Sequence, residues 1–492
     1  MRGPIDVTDL RCHCQTLSTA THFPAHIKSR LPALLSTALS VLSVLQIPFQ
    51  LLHISSSSSD VPQHTDTASE YFSTPSSLAG RVIDFVGVAL QLSTSKAALN
   101  ASTLSTLIPL LRSYSRITSE EQEEWQEDIS AFVAAGEDDE AGALATSMRA
   151  RCADTLSELI LVAEKDTLEA LRLAVKTAHE EGSKLKQGGN EDWWKEEEAS
   201  LALIGGIAEH LVEKLEDAKD LGRPAPFDIE SIFSLSVLPN TNVSSPYLLY
   251  GRCFVFASQF ASILPEDLAK SFLEAAVGAL EQELHGEGDA IVKLSAVRCI
   301  KNFHRHLLPA ILRPFSARIL SRLGPLLDTS SEDTLVLVVE TLQAVAMQDD
   351  ANIPANIYGD IVSEAIRAWA KEASDRVLQS AVEDLLEAFA AHKSHPTALA
   401  VVQRAFTLCA GLLSQEKSAQ VDKYRSSVIV EGSLEFAGAV ARGAAGEILS
   451  QSGAVLPFLG PLFDHLTQSD DREVFRVSLV ATTLKYCADD SS

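Results

Sequence analysis

The sequence is poor in aromatic residues, short of bases and without a CxxC pair, and each scarcity removes a class of protein. Its 492 residues hold 40 Lys and Arg against 66 Asp and Glu, a net charge of −26. Duplex nucleic acid is a poor match for that balance, because a polyanion is bound through a basic stripe that releases its counterions. A basic protein partner suits it better. Aromatics make up 6%, and the apolar content is mostly Leu, Ala and Val, which favours helix over strand on intrinsic preference. The seven cysteines, at 12, 14, 152, 253, 299, 409 and 487, are odd in number and scattered, so a disulfide framework is not expected and the chain reads as reduced and intracellular. Cys12-His13-Cys14 is the one tight Cys/His cluster, and without a second ligand pair at zinc spacing it reads as chance rather than metal. Walker, GxGxxG, HExxH and GxSxG elements are also missing, so neither catalysis nor a cofactor is expected.

What is present is enough apolar sequence for a large core. Hydrophobic residues are 46% and charged ones 22%, which excludes a mainly disordered chain and suggests about three domain-sized units. The stretch from Leu31 to Leu52 is uncharged and long enough to cross a bilayer. Ser36, Thr37, Ser40 and Ser43 fall on one side of it, with Leu35, Leu39, Leu42 and Val41 or Leu45 on the other. That pattern predicts a packed amphipathic helix, limited by Pro32 and Pro48, rather than a membrane span.

From Pro246 onward the sequence repeats. Pro246, Asp289, Glu332 and Asp375 stand 43 residues apart, and four apolar columns follow in register. The first is Leu249, Val292, Leu335 and Leu378, and the second Cys253, Ala296, Val339 and Val382. The third is Ala257, Ile300, Gln343 and Leu386, and the fourth Phe260, Phe303, Ala346 and Phe389. Offsets of 3, 7, 11 and 14 trace one face of an α-helix. A second helix follows in each unit, through Pro265 to Leu284, Pro309 to Leu326, Ile353 to Ala373 and Pro396 to Leu413. Two antiparallel helices in about 43 residues match the HEAT repeat, whose hairpins must stack to bury their faces. The expected fold is therefore all-α: a HEAT-repeat α-solenoid of stacked antiparallel helix pairs in a right-handed superhelix.

Along the chain, residues 1–22 are expected to be a disordered leader, 23–59 a helical repeat, 60–77 a polar linker and 78–118 another repeat. An acidic loop insertion spans 119–147, helical repeats 148–222, a connection 223–245, four HEAT repeats 246–416 and further repeats 417–492. Arg149 to Ala163 with Thr167 to His179, and Trp193 to Gly206 with Ile207 to Ala218, read as hairpins. Between Glu120 and Glu140 there are ten carboxylates and no Lys or Arg. The first six can share a solvated helix face, whereas Ala134-Ala-Gly-Glu137-Asp138-Asp139-Glu140 has loop chemistry. Such a polyanion can steer a basic protein surface, or merely aid solubility. A smaller acidic patch, Glu191, Asp192, Glu196, Glu197 and Glu198, surrounds Trp193-Trp194, whose rings read as core. His392 and His395, spaced i, i+3 before Pro396, read as a helix C-terminal turn rather than a metal pair.

The run Trp125-x-Glu127-Asp128-x-x-x-Phe132-Val133-x-x-x-Glu137-Asp138-Asp139-Glu140 resembles the acidic segment of the importin-9 branch of the karyopherin-β (importin-β) nuclear transport receptors. Phe23-Pro-Ala-His26, Asp192-Trp-Trp-Lys195, Ser245-Pro-Tyr-Leu-Leu249 with Gly251-Arg252, Ser295-Ala-Val-Arg298 and Glu431-Gly-Ser-Leu434 are similar to that branch's landmarks, in the same order. The chain has about half a karyopherin's length, so the resemblance is to the central part alone, without the N-terminal importin domain or the C-terminal arch. It implies a nuclear import receptor that shuttles between cytoplasm and nucleus through nuclear envelope pores. The implied partners are basic cargo such as histones and ribosomal proteins on an acidic inner surface, the Ran GTPase in its GTP form, and Phe-Gly repeat proteins of the pore. It implies no enzyme activity, direct nucleic-acid contact or membrane insertion. Glu127, Asp128, Glu137, Asp138, Asp139 and Glu140 are the residues it points to for cargo or Ran. A HEAT scaffold for complex assembly, without transport, is the competing expectation.

Overall fold

The computed structural model describes residues 15–17, 28–55, 74–92, 95–135, 147–282, 288–329, 332–347, 353–416 and 423–468. Among the described residues every regular element is helical. The chain divides into two compact units, 1–263 with 286–292 and 264–285 with 293–492. The Cys12-His13-Cys14 cluster lies outside the described residues.

The longer helices of the first unit are α1 (Leu31–Phe49), α2 (Pro75–Leu90), α3 (Ala101–Tyr114), α4 (Ser119–Glu127), α5 (Ile129–Ala134), α6 (Met148–Gln187), α7 (Trp194–Gly205), α8 (Ala208–Asp220) and α9 (Tyr247–Gln259). In α1 the spacing of Leu31, Leu35, Ala38, Val41, Leu42, Leu45 and Phe49 gives one buried stripe, which packs on α2 and α3. Leu39 is half-buried at the stripe's edge, with Ala38 beneath it. On the outer face the hydroxyls of Thr37, Ser40 and Ser43 donate to carbonyls four residues back, at 2.8 to 3.0 Å. The helix does not stop at Pro48. It continues into a π-helical turn, Gln50–Ile54, and the Gln50 N–H is shared between the Gln46 and Ile47 carbonyls. Widening the turn accommodates the ring and the hydrogen bond it removes. Lys28–Ile54 and His395–Ser414 are both long and apolar enough to span a bilayer by length and composition, yet each buries an apolar stripe within its own unit.

The segments expected as a hairpin, Arg149 to Ala163 and Thr167 to His179, are two helical halves, together α6, that meet at a single non-helical residue, Ala163 (φ −144°, ψ 54°); Arg149 reaches the Ser115 carbonyl at 2.9 Å and Glu181 reaches Arg112 at 3.3 Å, so both halves return to the same end of α3. No glycine or proline is available there to make a loop, and the Thr167 hydroxyl donates to the Leu159 carbonyl across the kink at 3.2 Å. Residues 223–245, expected as a connection, contain a helical run, Ile229–Ile232, a π turn Phe233–Val237 and Leu238–Asn240. Asp228 starts it by accepting from the Ser231 N–H at 3.1 Å.

The second unit contains α10 (Glu266–Glu281), most of α11 (Asp289–His306), α12 (Pro309–Leu323), α13 (Glu332–Ala346), α14 (Ala355–Lys371), α15 (Arg376–Ala390), α16 (His395–Glu416), α17 (Lys423–Gly443) and α18 (Val455–Gln468). Neighbours two apart in sequence pack together: α13 on α15 on α17, and α12 on α14 on α16 on α18. Stacking of like on like is what a helix pair does when neither partner can cover the other completely. Every member of the four 43-residue columns is buried except Gln343, which is half-buried. Cys152, Cys253, Cys299 and Cys409 are buried free thiols, and burial pushes Cys152 and Cys409 up to about 12, which leaves them unreactive.

Candidate functional site

The acidic segment stands on a short, well-anchored stem. Its N-terminal signal is a capping box: the Thr118 hydroxyl accepts from the Glu121 N–H at 3.1 Å, and Glu121 accepts from the Thr118 N–H at 2.8 Å. Acidic residues in the first turn favour the helix further by meeting the positive end of its dipole. Trp125 is the apolar anchor of α4, 7% exposed, and meets Phe132 of α5 edge-on with ring centroids 5.6 Å apart. Gln126 donates to the Tyr247 hydroxyl at 2.6 Å, and His53 Nδ1 lies 3.0 Å from Glu120 Oε1. Burial raises the Glu120 carboxyl, but the His53 hydrogen bond and backbone bonding outweigh it and hold the group below the usual range.

This anchoring leaves Glu120, Glu123, Glu124, Glu127 and Asp128 exposed. Asp128 has a structural task as well, since its Oδ1 accepts from the Ser130 N–H at 2.9 Å and caps α5. Glu127 and Asp128 are therefore held together at the α4–α5 corner. Glu137, Asp138, Asp139 and Glu140 lie outside the described residues.

Of the second acidic patch only Glu191 is exposed. Glu196, Glu197 and Glu198 sit on α7, a helix buried on most sides between α3, α6 and α9. Glu198 is 1% exposed and is gripped by Arg149, whose two Nη atoms reach its oxygens at 2.9 and 2.8 Å, and by Arg252 Nε at 3.0 Å. Burial pushes this carboxyl up, and the charges and hydrogen bonds of Arg149 and Arg252 more than reverse that. Glu196 bridges Arg112 at 2.9 Å and Arg116 at 2.8 Å. Glu197 accepts from Asn240 at 2.8 Å and lies 3.1 Å from His179 Nδ1; burial, only partly offset by His179 and Asn240, raises it. Buried charges persist only when paired in this way. Their partners come from 18 to 84 residues away, so a run of Glu read locally could not reveal them. Of those partners only Arg252 carried a signal, as part of the Gly251-Arg252 landmark.

Trp194 is buried, as a core residue should be, and Trp193 is half-buried with the Lys186 ammonium 3.9 Å from its ring centroid. The two histidines at 392 and 395 do not converge. His392 is buried against Tyr358, and its Nδ1 accepts from the Ser394 N–H at 3.0 Å, whereas His395 is exposed.

A family model for importin-9 central HEAT repeats matches residues 98–359, which include the stem, α7 and the first of the 43-residue repeats. Among solved structures the chain is similar to Lph2, a bidirectional nuclear transport receptor of S. cerevisiae, with 14% identity over 94% of this chain and 48% of that one and a TM-score of 0.60. It is also similar to Kap121p in a complex with RanGTP, at 13% identity over 98% of this chain and 50% of that one, with a TM-score of 0.49. The chain thus spans about half the length of these two proteins. At such identities the likeness speaks of fold, and the fold is the all-α HEAT-repeat kind that nuclear transport receptors share. With more than half of its residues matched by the family model, the chain belongs to the importin-9 central HEAT-repeat family.

Proposed function

We propose that this chain acts as the central part of an importin-β-type nuclear import receptor, binding basic protein cargo such as histones or ribosomal proteins under the control of Ran-GTP. The observation that carries the proposal is the family match over 98–359, within which the acidic stem falls. The stem supports it physically. A rigid corner presents Glu127 and Asp128, and the Glu137 to Glu140 run follows within ten residues. Carboxylates held close together and unneutralised attract cationic surfaces over a Debye length and raise the encounter rate. In this proposal Glu127, Asp128, Glu137, Asp138, Asp139 and Glu140 contact cargo or Ran. The repeats over 246–416 and those flanking them form the framework, and Phe-Gly repeat proteins of the pore carry the receptor between cytoplasm and nucleus. It needs no cofactor and performs no chemistry.

The test is binding of the purified chain to Ran-GTP and to a histone dimer, each at low and raised salt. Tight, salt-sensitive binding of the histone dimer is the expected result, and no binding at low salt overturns the proposal for this chain. Ran-GTP also separates it from the assembly-scaffold alternative, which has no reason to bind a nucleotide-loaded GTPase. Replacing Glu137, Asp138, Asp139 and Glu140 together with Ser should weaken the basic partner and leave helical content unchanged.

A further inference from the structure

The acidic stem is fastened to the first unit at both ends of α4. Near its start, Glu120 Oε1 lies 3.0 Å from Nδ1 of His53, which belongs to the π turn that extends α1. That turn is itself held. The Lys195 ammonium, 1% exposed, donates to the Ile54 carbonyl at 2.8 Å and pairs with Asp192 at 3.1 Å, while the His53 ring lies against Phe49 with centroids 5.3 Å apart. Near the other end of α4, the Gln126 amide donates to the Tyr247 hydroxyl at 2.6 Å.

Along the helix these two fastenings stand about 9 Å apart, at a rise of about 1.5 Å per residue. A rod held at two such points cannot swing about either. The Tyr247 end is firmly set, because the ring has little room to turn. Tyr247 opens α9, and a Cβ built on Gly288 would fall 2.1 Å from its Cγ. Only a glycine lets the backbone lie against the ring in this way, and the contact keeps the ring, and with it the hydroxyl, in place. Gln126 is exposed and immediately precedes Glu127 and Asp128. A tether on Gln126 therefore acts directly on the two carboxylates of the corner.

We propose that Tyr247 is a positioning residue for the acidic corner, acting through Gln126 to hold Glu127 and Asp128 in the orientation in which they meet a cationic partner. This role rests on the reading of the corner as a contact for basic protein, and adds to it a residue that keeps the contact ordered. Carboxylates already fixed in place bind without the cost of ordering them at the moment of contact, so the tether strengthens binding while adding no charge.

Tyr247→Phe, Gln126→Ala and the double variant of the full chain test it. Tyr247→Phe keeps the ring against Gly288 and removes only the hydroxyl. Without a partner, amide exchange across 119–134 should rise in each single variant and rise no further in the double, while α12 to α16 keep their protection. With a histone dimer at low salt, the dissociation constant should rise about threefold to fivefold in either single variant and no more in the double, as the loss of one net hydrogen bond allows. The dependence of affinity on salt should match that of the unmodified chain, since no charge is removed. Unchanged exchange in Tyr247→Phe, additive effects in the double variant, or unchanged affinity in a chain whose exchange has risen overturns the role. Failure of the unmodified chain to bind the dimer removes the cargo reading and this role with it, whereas any of those three results in a chain that does bind removes the role alone.

Discussion

A carboxylate such as Glu198, 1% exposed between Arg149 and Arg252, is tolerable in the core only while both cations are in place. Replacing it with Gln leaves two guanidiniums facing an uncharged amide, and breaking a buried pair in this way costs about 3 to 5 kcal/mol. Urea unfolding followed by circular dichroism should show Glu198→Gln destabilised by that order. The pH dependence has a definite sign. The folded carboxyl is held below its unfolded value, so its contribution is present above the ordinary carboxylate range and is lost as pH falls through the folded value. Glu435 of α17 behaves oppositely: burial first, then Glu383 and Glu431, push it up to about 6. Its stabilising contribution is present below the unfolded carboxylate value and is lost as pH rises through about 6. Glu435→Gln should raise the unfolding midpoint at pH 7.5 and leave it nearly unchanged at pH 4.5. Gly432, on the same helix, packs against Trp369, and a Cβ there would fall 2.2 Å from the indole. Gly432→Ala should therefore destabilise by about 1 to 3 kcal/mol, again read by urea titration.

Single elements were legible where the pattern is local. The stripe of α1 and the acid or proline ahead of each repeat helix are readable from a few adjacent residues, because periodicity and end chemistry act over one or two turns. The misjudged places are those where a local rule met tertiary packing. Pro48 did not end α1, because a π turn absorbed it and Phe49 remains buried beyond it. The corner of α6 does fall at Ala163 as expected, though it takes one non-helical residue rather than a loop. Ion pairs between successive second helices, Arg318 with Glu281, Lys371 with Asp328 and Arg404 with Asp360, are 37 to 44 residues apart and escape any windowed search. At this scale the stem makes the clearest prediction. Trp125→Ala removes the anchor between α4 and α5, so amide exchange should rise sharply across 119–134 while α12 to α16 keep their protection.

For the whole molecule, the charge of −26 is the property that no single element displays. Part of the described acidity is matched, through the α7 network and the inter-helix pairs of the second unit, while exposed acids remain at the α4–α5 corner and along α8. Affinity for a basic protein should consequently fall steeply with salt, because the interaction is carried by exposed charges that small ions screen. Isothermal titration of a histone dimer at two salt concentrations checks this. An affinity indifferent to salt would assign the contact to apolar surface instead.

The sequence by itself determined the helical class, the 43-residue register and the family, because each follows from spacing that recurs along the chain and survives without knowledge of distant contacts. Only the tertiary structure decided which acids are free. Glu123, Glu124 and Glu127 face solvent, whereas Glu197 and Glu198 are buried and Glu196 half-buried beside arginines, a histidine and an asparagine supplied by other helices. A carboxylate's charge is written in the chain, but its neutralisation depends on which side chains folding brings within about 3 Å, and that is a property of packing.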